Sequence, residues 1–324
     1  MFVTLNQIYQ AKANLAGVII PTPLHVSRTF SELTGSEIYL KTENLQKTGS
    51  FKIRGAYNKI SNLTDTEKAN GVVAFSAGNH GAGTAYAAQQ LGVSATVVMP
   101  TNPVLNKKNA IISYGATALE HGTTSIEMHQ KAMELVQSEG RTMIHPFDDP
   151  YVIAGQGTIG VEILDELPEA DVVIVPVSGG GLIAGIAAAL KEMKPTIKVI
   201  GINTEGATAM YTALQNGQPT TVEKVETIAD GLMAACVGDL TFAHTQHYVD
   251  DLVLVKEKDI ANTVALLAER AKIVAEPSGA AALAGVLSGQ LNIKGKKVVV
   301  LVSGGNVSFA LYHQLIKEYT ERNY

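Results

Sequence analysis

Cysteine is nearly absent: Cys236 is the only one in 324 residues. A single thiol excludes an intrachain disulfide, suits a reducing compartment, and leaves no Cys-x-x-Cys pair for redox or zinc chemistry. An excess of charge of one sign is lacking too. With 25 Lys+Arg against 30 Asp+Glu and a formal net charge of −5, nothing electrostatic points to nucleic acid or an anionic membrane as partner. No apolar run approaches the ~20 residues of a membrane-spanning helix. The first residues also lack the basic-then-apolar layout of a signal peptide, so the cytoplasm is the expected location. HExxH, Walker A and GxSxG patterns are missing, as are repeats and low-complexity tracts.

What the chain does have is apolar content, 46% of its residues, enough to bury one large or two medium cores. Its pattern is βαβ. Residues 5–15 carry helical spacing, Pro21-Thr22-Pro23 breaks the chain, and 37–41 reads as a strand. After a helix beginning near Ser50 come strand 72–75, helix 81–91 stopped by Gly92, strand 95–99, a helix ending near Tyr114, and short strands at 116–120 and 142–144. Strands 172–177, 197–202 and 297–302 are apolar on nearly every residue, as parallel strands covered on both faces must be, with helices at 182–193 and 259–274 to cover them. This predicts an α/β protein of two open twisted domains, a large one from 1–49 plus 144–324 and a small inserted one from 50–143, with a ligand cleft between them.

Four turns at strand ends carry candidate chemistry. In Thr48–Gly55 (TGSFKIRG), Ser50 as N-cap places Lys52 in a first helical turn between Phe51 and Ile53. The helix dipole and the apolar neighbours both disfavour an ammonium there, and a lysine of lowered pKa is what Schiff-base chemistry needs. Most lysines of that kind simply reach water. Ser76-Ala77-Gly78-Asn79-His80 follows a strand and opens a helix, a nest of amides suited to a carboxylate, or an ordinary turn capped by Ser76. Ser178-Gly179-Gly180-Gly181-Leu182 is a phosphate-cradle candidate because consecutive glycines let backbone amides approach an anion. The same stretch fits Gly179-x-Gly181-x-x-Ala184 with Glu205 beyond the next strand, the alternative of a nicotinamide-dependent oxidoreductase. Ser303-Gly-Gly-Asn306 offers a hydroxyl to a ring nitrogen, or a helix cap. One lysine, one carboxylate nest, one phosphate loop and one hydroxyl are together the parts that hold pyridoxal phosphate and an amino acid. Outside these turns, His244 and His247 read as surface or packing histidines, Asp148-Asp149 as a solvated turn, and Glu276 as a cap or a support to the site.

Those stretches, with AGQGTIGVEI at 154–163 and TIADG at 227–231, resemble the serine/threonine dehydratase and serine racemase family in order and spacing over nearly the whole chain. The resemblance implies a fold-type II pyridoxal-phosphate enzyme of the tryptophan synthase β kind, with Lys52 bound covalently to the cofactor, Phe51 beside its ring and Asn79 on the ring hydroxyl. Ser178, Gly179, Gly180, Gly181 and Leu182 would take the phosphate, and Ser303 the ring nitrogen. Ser76, Ala77, Asn79 and His80 would hold the substrate carboxylate. The implied reaction is β-elimination from L-threonine or L-serine, giving 2-oxobutanoate or pyruvate and ammonia, in a homodimer or homotetramer. Serine racemase or hydroxyaspartate dehydratase are the alternatives within the family, and a binding protein that keeps the cofactor without turnover is the alternative outside catalysis. Ala77 stands where the racemases carry a second serine. Asn203 and Ala209 stand at two carboxylate positions of the racemases' cation site, so no metal is expected.

Overall fold

The structure, a computed structural model, describes residues 2–76 and 78–323. Ala77, assigned above to the substrate nest, lies outside the described residues. The described strands are β1 (Leu24–Val26), β2 (Glu37–Thr42), β3 (Val72–Phe75), β4 (Ala95–Met99), β5 (Thr117–Glu120), β6 (Thr142–Met143), β7 (Val172–Pro176), β8 (Lys198–Thr204), β9 (Asp251–Val255) and β10 (Lys297–Val302). They form a six-stranded sheet in the order β1-β2-β10-β7-β8-β9 and a four-stranded sheet in the order β5-β4-β3-β6. Every pairing is parallel except β1 with β2.

Register explains why β7, and β10 after Lys297, are apolar at every position. Val298 lies opposite Val172 and Val300 opposite Ile174. The alternation of a strand sends these four residues to one face, where they pack on helix Pro277–Leu287. Val173, Val175, Val299 and Leu301 go to the other face, under helices Pro150–Glu166 and Gly181–Met193. The smaller sheet repeats the arrangement, with Val72, Ala74, Val97 and Met99 on one face and Val73 and Val98 on the other.

Strand order reverses at β7. The chain proceeds from β7 through β8 to β9 in one direction, while β10 and β2 lie on the opposite side. The carboxyl ends of β7 and β10 therefore flank a topological switch point, the place where open α/β sheets leave a crevice. Helix Lys52–Ser61 packs against both helix Asn79–Gln90, beside the small sheet, and helix Pro150–Glu166, over the large one. The start of that helix is thereby carried to the same crevice.

Two local readings are corrected. Ser50 is not the cap of helix Lys52–Ser61: the N-cap is Phe51, itself helical in backbone, with no side-chain hydrogen bond. Ser50 is instead drawn into a bridge with Gly304. The single helix expected over 259–274 is helix Glu257–Leu266 followed by a π-turn, Leu267–Ala271, which ends at Lys272 in the left-handed region with φ 60°. An inserted residue in a helical turn leaves the apolar spacing almost unchanged, so periodicity does not reveal it.

Candidate active site

Lys52 is the first residue of its helix, and its Nζ donates to one acceptor, the carbonyl of Pro146, at 2.8 Å. The amine lies 5.2 Å from the centre of the Phe51 ring. Lys52 keeps some accessible surface, yet its amine end is surrounded by protein. Desolvation lowers its pKa to about 8, against an opposing pull from the carboxylate of Glu276. A group of that kind is a substantial fraction neutral just above neutral pH, which a nucleophilic amine requires.

Around it, the turns meet. Phe51 N–H donates to Ser303 O at 3.2 Å, and Ser303 Oγ lies 3.4 Å from the carbonyl of Ser278. Asn79 Nδ2 donates to Glu276 Oε1 at 2.5 Å, while Asn79 Oδ1 accepts from Asn306 Nδ2 at 2.8 Å. The Asn306 amide is held in turn by its bond to Thr48 O. Since a carbonyl can only accept, this chain of bonds fixes which way both carboxamides face. Asn79 is left with one N–H not engaged by protein.

Helix Asn79–Gln90 opens with Gly78 as N-cap and no side-chain cap, so its first amides remain available to an anion. Ser76 Oγ accepts from Gly78 N–H at 3.0 Å. The His80 side chain is buried, and its Nε2–H donates to Ile144 O at 2.7 Å. Burial first, and then the nearby charge of Lys52, lower its pKa to about 3. His80 is therefore neutral, and what it offers a carboxylate is its backbone amide rather than a cationic ring. Lys107 reaches over this nest to an ion pair with Asp230 across the crevice.

Helix Gly181–Met193 also begins without a side-chain cap, after Gly180 at φ +98°, a conformation that favours glycine. A Cβ on Gly181 would lie 2.8 Å from the backbone and side chain of Phe147, so no larger residue fits there without movement. Thr241 Oγ1 donates to Gly179 O at 2.7 Å and pins the loop from below. Ser178 Oγ accepts from Ala234 N–H at 3.1 Å, which ties the loop to a neighbouring segment and leaves one O–H proton for an anion.

The residues fit pyridoxal phosphate. An uncapped helix start behind three glycines suits a phosphate, an underbonded lysine suits an aldehyde carbon, and a fixed Asn79 N–H suits a ring oxygen. Buried polar atoms without hydrogen-bond partners gather at the same place: Ser50 Oγ, Ser278 Oγ and Glu276 Oε2. The structure brings together Phe51, Lys52, Ser76, Asn79, His80, Ser178 to Leu182 and Ser303. It places Asp148-Asp149 otherwise than expected. Asp149 caps helix Pro150–Glu166, and Asp148 accepts from Leu240 and Thr241 N–H at the start of helix Asp239–Tyr248, so the pair is structural, not a solvated turn. Pro146, Phe147 and Lys107 were not singled out in the sequence, and Asp230 was met only inside the motif at 227–231; for Pro146 and Phe147 the available signal was the run His145–Pro150 between a short strand and a helix. His145 Nδ1 accepts from Phe147 and Asp148 N–H and shapes that run.

Residues 15–304 match the family described as pyridoxal-phosphate dependent enzyme, and the chain belongs to it. It has the fold-type II architecture, and its cofactor is pyridoxal phosphate. L-threonine ammonia-lyase of Thermotoga maritima is 48% identical over 98% of this chain and 79% of its own length. The catabolic L-threonine dehydratase of Escherichia coli K12 is 46% identical over 97% of this chain and 96% of its own. Among solved structures, maize serine racemase superposes with a TM-score of 0.93 at 34% identity, covering 99% of each chain. No helix among the described residues is long and apolar enough to cross a membrane.

Proposed function

We propose that the chain is an ammonia-lyase acting on L-threonine and L-serine, with Lys52 as its catalytic residue. The observation that carries this reading is the Lys52 amine, buried, lowered in pKa and held by a single carbonyl amid three uncapped helix starts. Threonine ammonia-lyase activity in relatives 46–48% identical supports it.

Bound pyridoxal phosphate supplies the electron sink that makes the α-proton of an amino acid removable. Gly179, Gly180, Gly181 and Leu182 hold its phosphate with backbone amides, and Ser178 adds its O–H proton. Phe51 packs beside the ring, and Asn79 Nδ2 donates to the ring oxygen. The Ser76–His80 turn fixes the substrate carboxylate, so that the Cα–H bond points at Lys52. Lys52 would hold the cofactor covalently, and its Nζ is the group placed to take the α-proton. The proton lost from Cα would balance the one with which the β-hydroxyl leaves as water, and a second water would hydrolyse the resulting enamine to a 2-oxo acid and ammonia. Ser303 at the ring nitrogen cannot keep that nitrogen protonated as a carboxylate would, which favours departure of the β-substituent over long-lived charge at Cα.

The structural similarity to serine racemase favours a second reading, amino-acid inversion. Inversion needs a proton donor on the face opposite Lys52, and where the racemases' sequences carry a second serine this one has Ala77, whose methyl has no proton to give. We also propose that residues 50–143 form a small domain inserted in a large one of residues 1–49 and 144–324, and that the enzyme is a cytoplasmic homo-oligomer. A panel of β-hydroxy amino acids assayed for 2-oxo acid, with chiral chromatography of the remaining substrate, tests the reading. Rapid 2-oxobutanoate release from L-threonine is expected; D-serine formation outpacing elimination would replace it with racemisation.

A further inference from the structure

Glu276 occupies the N-cap position of helix Pro277–Leu287, yet its side chain makes no cap bond. It turns into the crevice instead, 2% exposed, and spends Oε1 on Asn79 Nδ2. Oε2 is buried with no hydrogen-bond partner. The Ser278 hydroxyl stands nearby but is not aligned to complete a bond. A carboxylate here is unusual because nothing neutralises it directly: a helix start would be capped equally well by serine or threonine, without burying a charge.

We propose that Glu276 is a positioning residue for the cofactor, holding the Asn79 carboxamide so that its remaining N–H is presented to the cofactor's ring oxygen, and that its ionisation switches this hold on and off. The inference rests on the assignment of Asn79 to that oxygen. As a carboxylate, Glu276 makes a charge-assisted bond to Asn79 Nδ2, roughly twice as strong as a neutral one. As a carboxylic acid it makes a weaker bond and leaves Asn79 held mainly by Asn306.

The charged groups facing Glu276 come from three elements. Asp230, on the 3-10 turn Asp230–Leu232, repels its ionised form; Lys107, on helix Leu105–Ser113, and Lys52, on helix Lys52–Ser61, attract it. Burial outweighs them, followed by Asp230, and its pKa rises to about 7. Its ionised fraction therefore grows as pH rises through neutrality, and with it the hold on Asn79. His80 and His145, the neighbouring histidines, have pKa values of about 3 and 4 and do not titrate in that range.

The test is a pH titration of the holoenzyme's cofactor absorbance and of kcat/KM for L-threonine in wild type, Glu276→Gln, Glu276→Ala and Asp230→Asn. Wild type is expected to show an acid limb near pH 7 in both readouts. Glu276→Gln retains an acceptor for Asn79 but cannot ionise, so both readouts should be flat between pH 6 and 8, with the cofactor still bound. Glu276→Ala should weaken cofactor binding by about tenfold, the loss of one charged hydrogen bond. In Asp230→Asn, with Glu276 intact, the limb should move to lower pH. A wild-type limb persisting in Glu276→Gln, or unchanged cofactor affinity in Glu276→Ala, overturns the proposal. So does an unmoved limb in Asp230→Asn, a result that stands even if the Glu276 variants do not fold. Absorbance and cofactor affinity need no substrate, so they remain decisive if the substrate assignment fails.

Discussion

Lys52 and Arg54 sit two residues apart on one helix, both withdrawn from water, and the protein treats them oppositely. All five N–H groups of Arg54 are engaged: Nε and Nη2 with Glu43, Nη1 with Thr158, and both Nη atoms with Glu162. The same cluster takes in Lys41, paired with Glu162 at 2.9 Å and Glu166 at 3.1 Å. Lys52 has one carbonyl. A buried cation surrounded by carboxylates stays charged and locks the elements it joins, whereas one left underbonded is held ready to react. Helix starts follow this contrast only in part, since helices Leu105–Ser113, Ala209–Asn216 and Glu257–Leu266 also lack a side-chain cap. Helices Leu5–Asn14, Arg28–Thr34, Asp65–Asn70, Ser125–Glu139 and Pro150–Glu166 are capped by Thr4, Ser27, Thr64, Thr124 and Asp149. The helices that open on the crevice carry no side-chain cap.

The sharpest way to separate the two cations is to delete each. Lys52→Ala should abolish elimination, by more than the ~10²–10⁴-fold typical of one acid–base group because covalent and proton-transfer roles vanish together. The fold should survive, as judged by circular dichroism and an unchanged or raised Tm. Arg54→Met should do the reverse. It leaves Glu43 buried without its cation and Glu162 with Lys41 alone, costing about 3–5 kcal/mol in denaturant unfolding, while any enzyme that remains folded keeps a near-normal kcat.

A second separation uses pH. In cofactor-free protein the folded-state pKa of Lys52 is about 8, below its ordinary 10.5. Between those values the unfolded chain binds more protons than the folded one, so this residue makes stability rise with pH across that window, by up to about 3 kcal/mol. Lys52→Met should remove that rise. For Arg54 the direction is opposite, its pKa being raised by Glu43 and Glu162 despite the opposing effect of burial, and no such window exists below pH 12. Equal pH slopes in wild type and Lys52→Met would break the comparison.

The smallest expected effect concerns Ala77. Replacing it with serine should make racemisation of L-serine measurable by chiral chromatography without exceeding elimination, because a hydroxyl can donate a proton where a methyl cannot. No change in D-serine yield would show that the opposite face lacks more than this one group.

Much of this was legible in the sequence because it lies in local pattern. The apolar runs of β7, β8 and β10 announced a buried parallel sheet, and the glycines of Gly179–Gly181 announced a cradle. Lys52 stood out through its place at a helix start, although the cap inferred for Ser50 was wrong. The Ser50 backbone is drawn into a long-range bridge with Gly304, a contact that no local pattern encodes. The same holds for Glu276, whose place before a helix gave two readings, a cap or a support to the site, with nothing local to choose between them. Only the fold, by bringing the start of helix Pro277–Leu287 beside the start of helix Asn79–Gln90, shows its side chain bonded to Asn79, 197 residues away. Asp148 failed likewise: an acidic pair before proline reads as a turn until helix Asp239–Tyr248 is seen to start on it.

The central claim is that Lys52 is the reactive amine. Borohydride reduction of the holoenzyme followed by peptide mass spectrometry tests it most directly. The expected result is loss of the visible cofactor absorbance and one pyridoxyl-phosphate mass increment, located on Lys52. An increment on any other lysine, or none at all in a preparation that still releases 2-oxo acid, would contradict it.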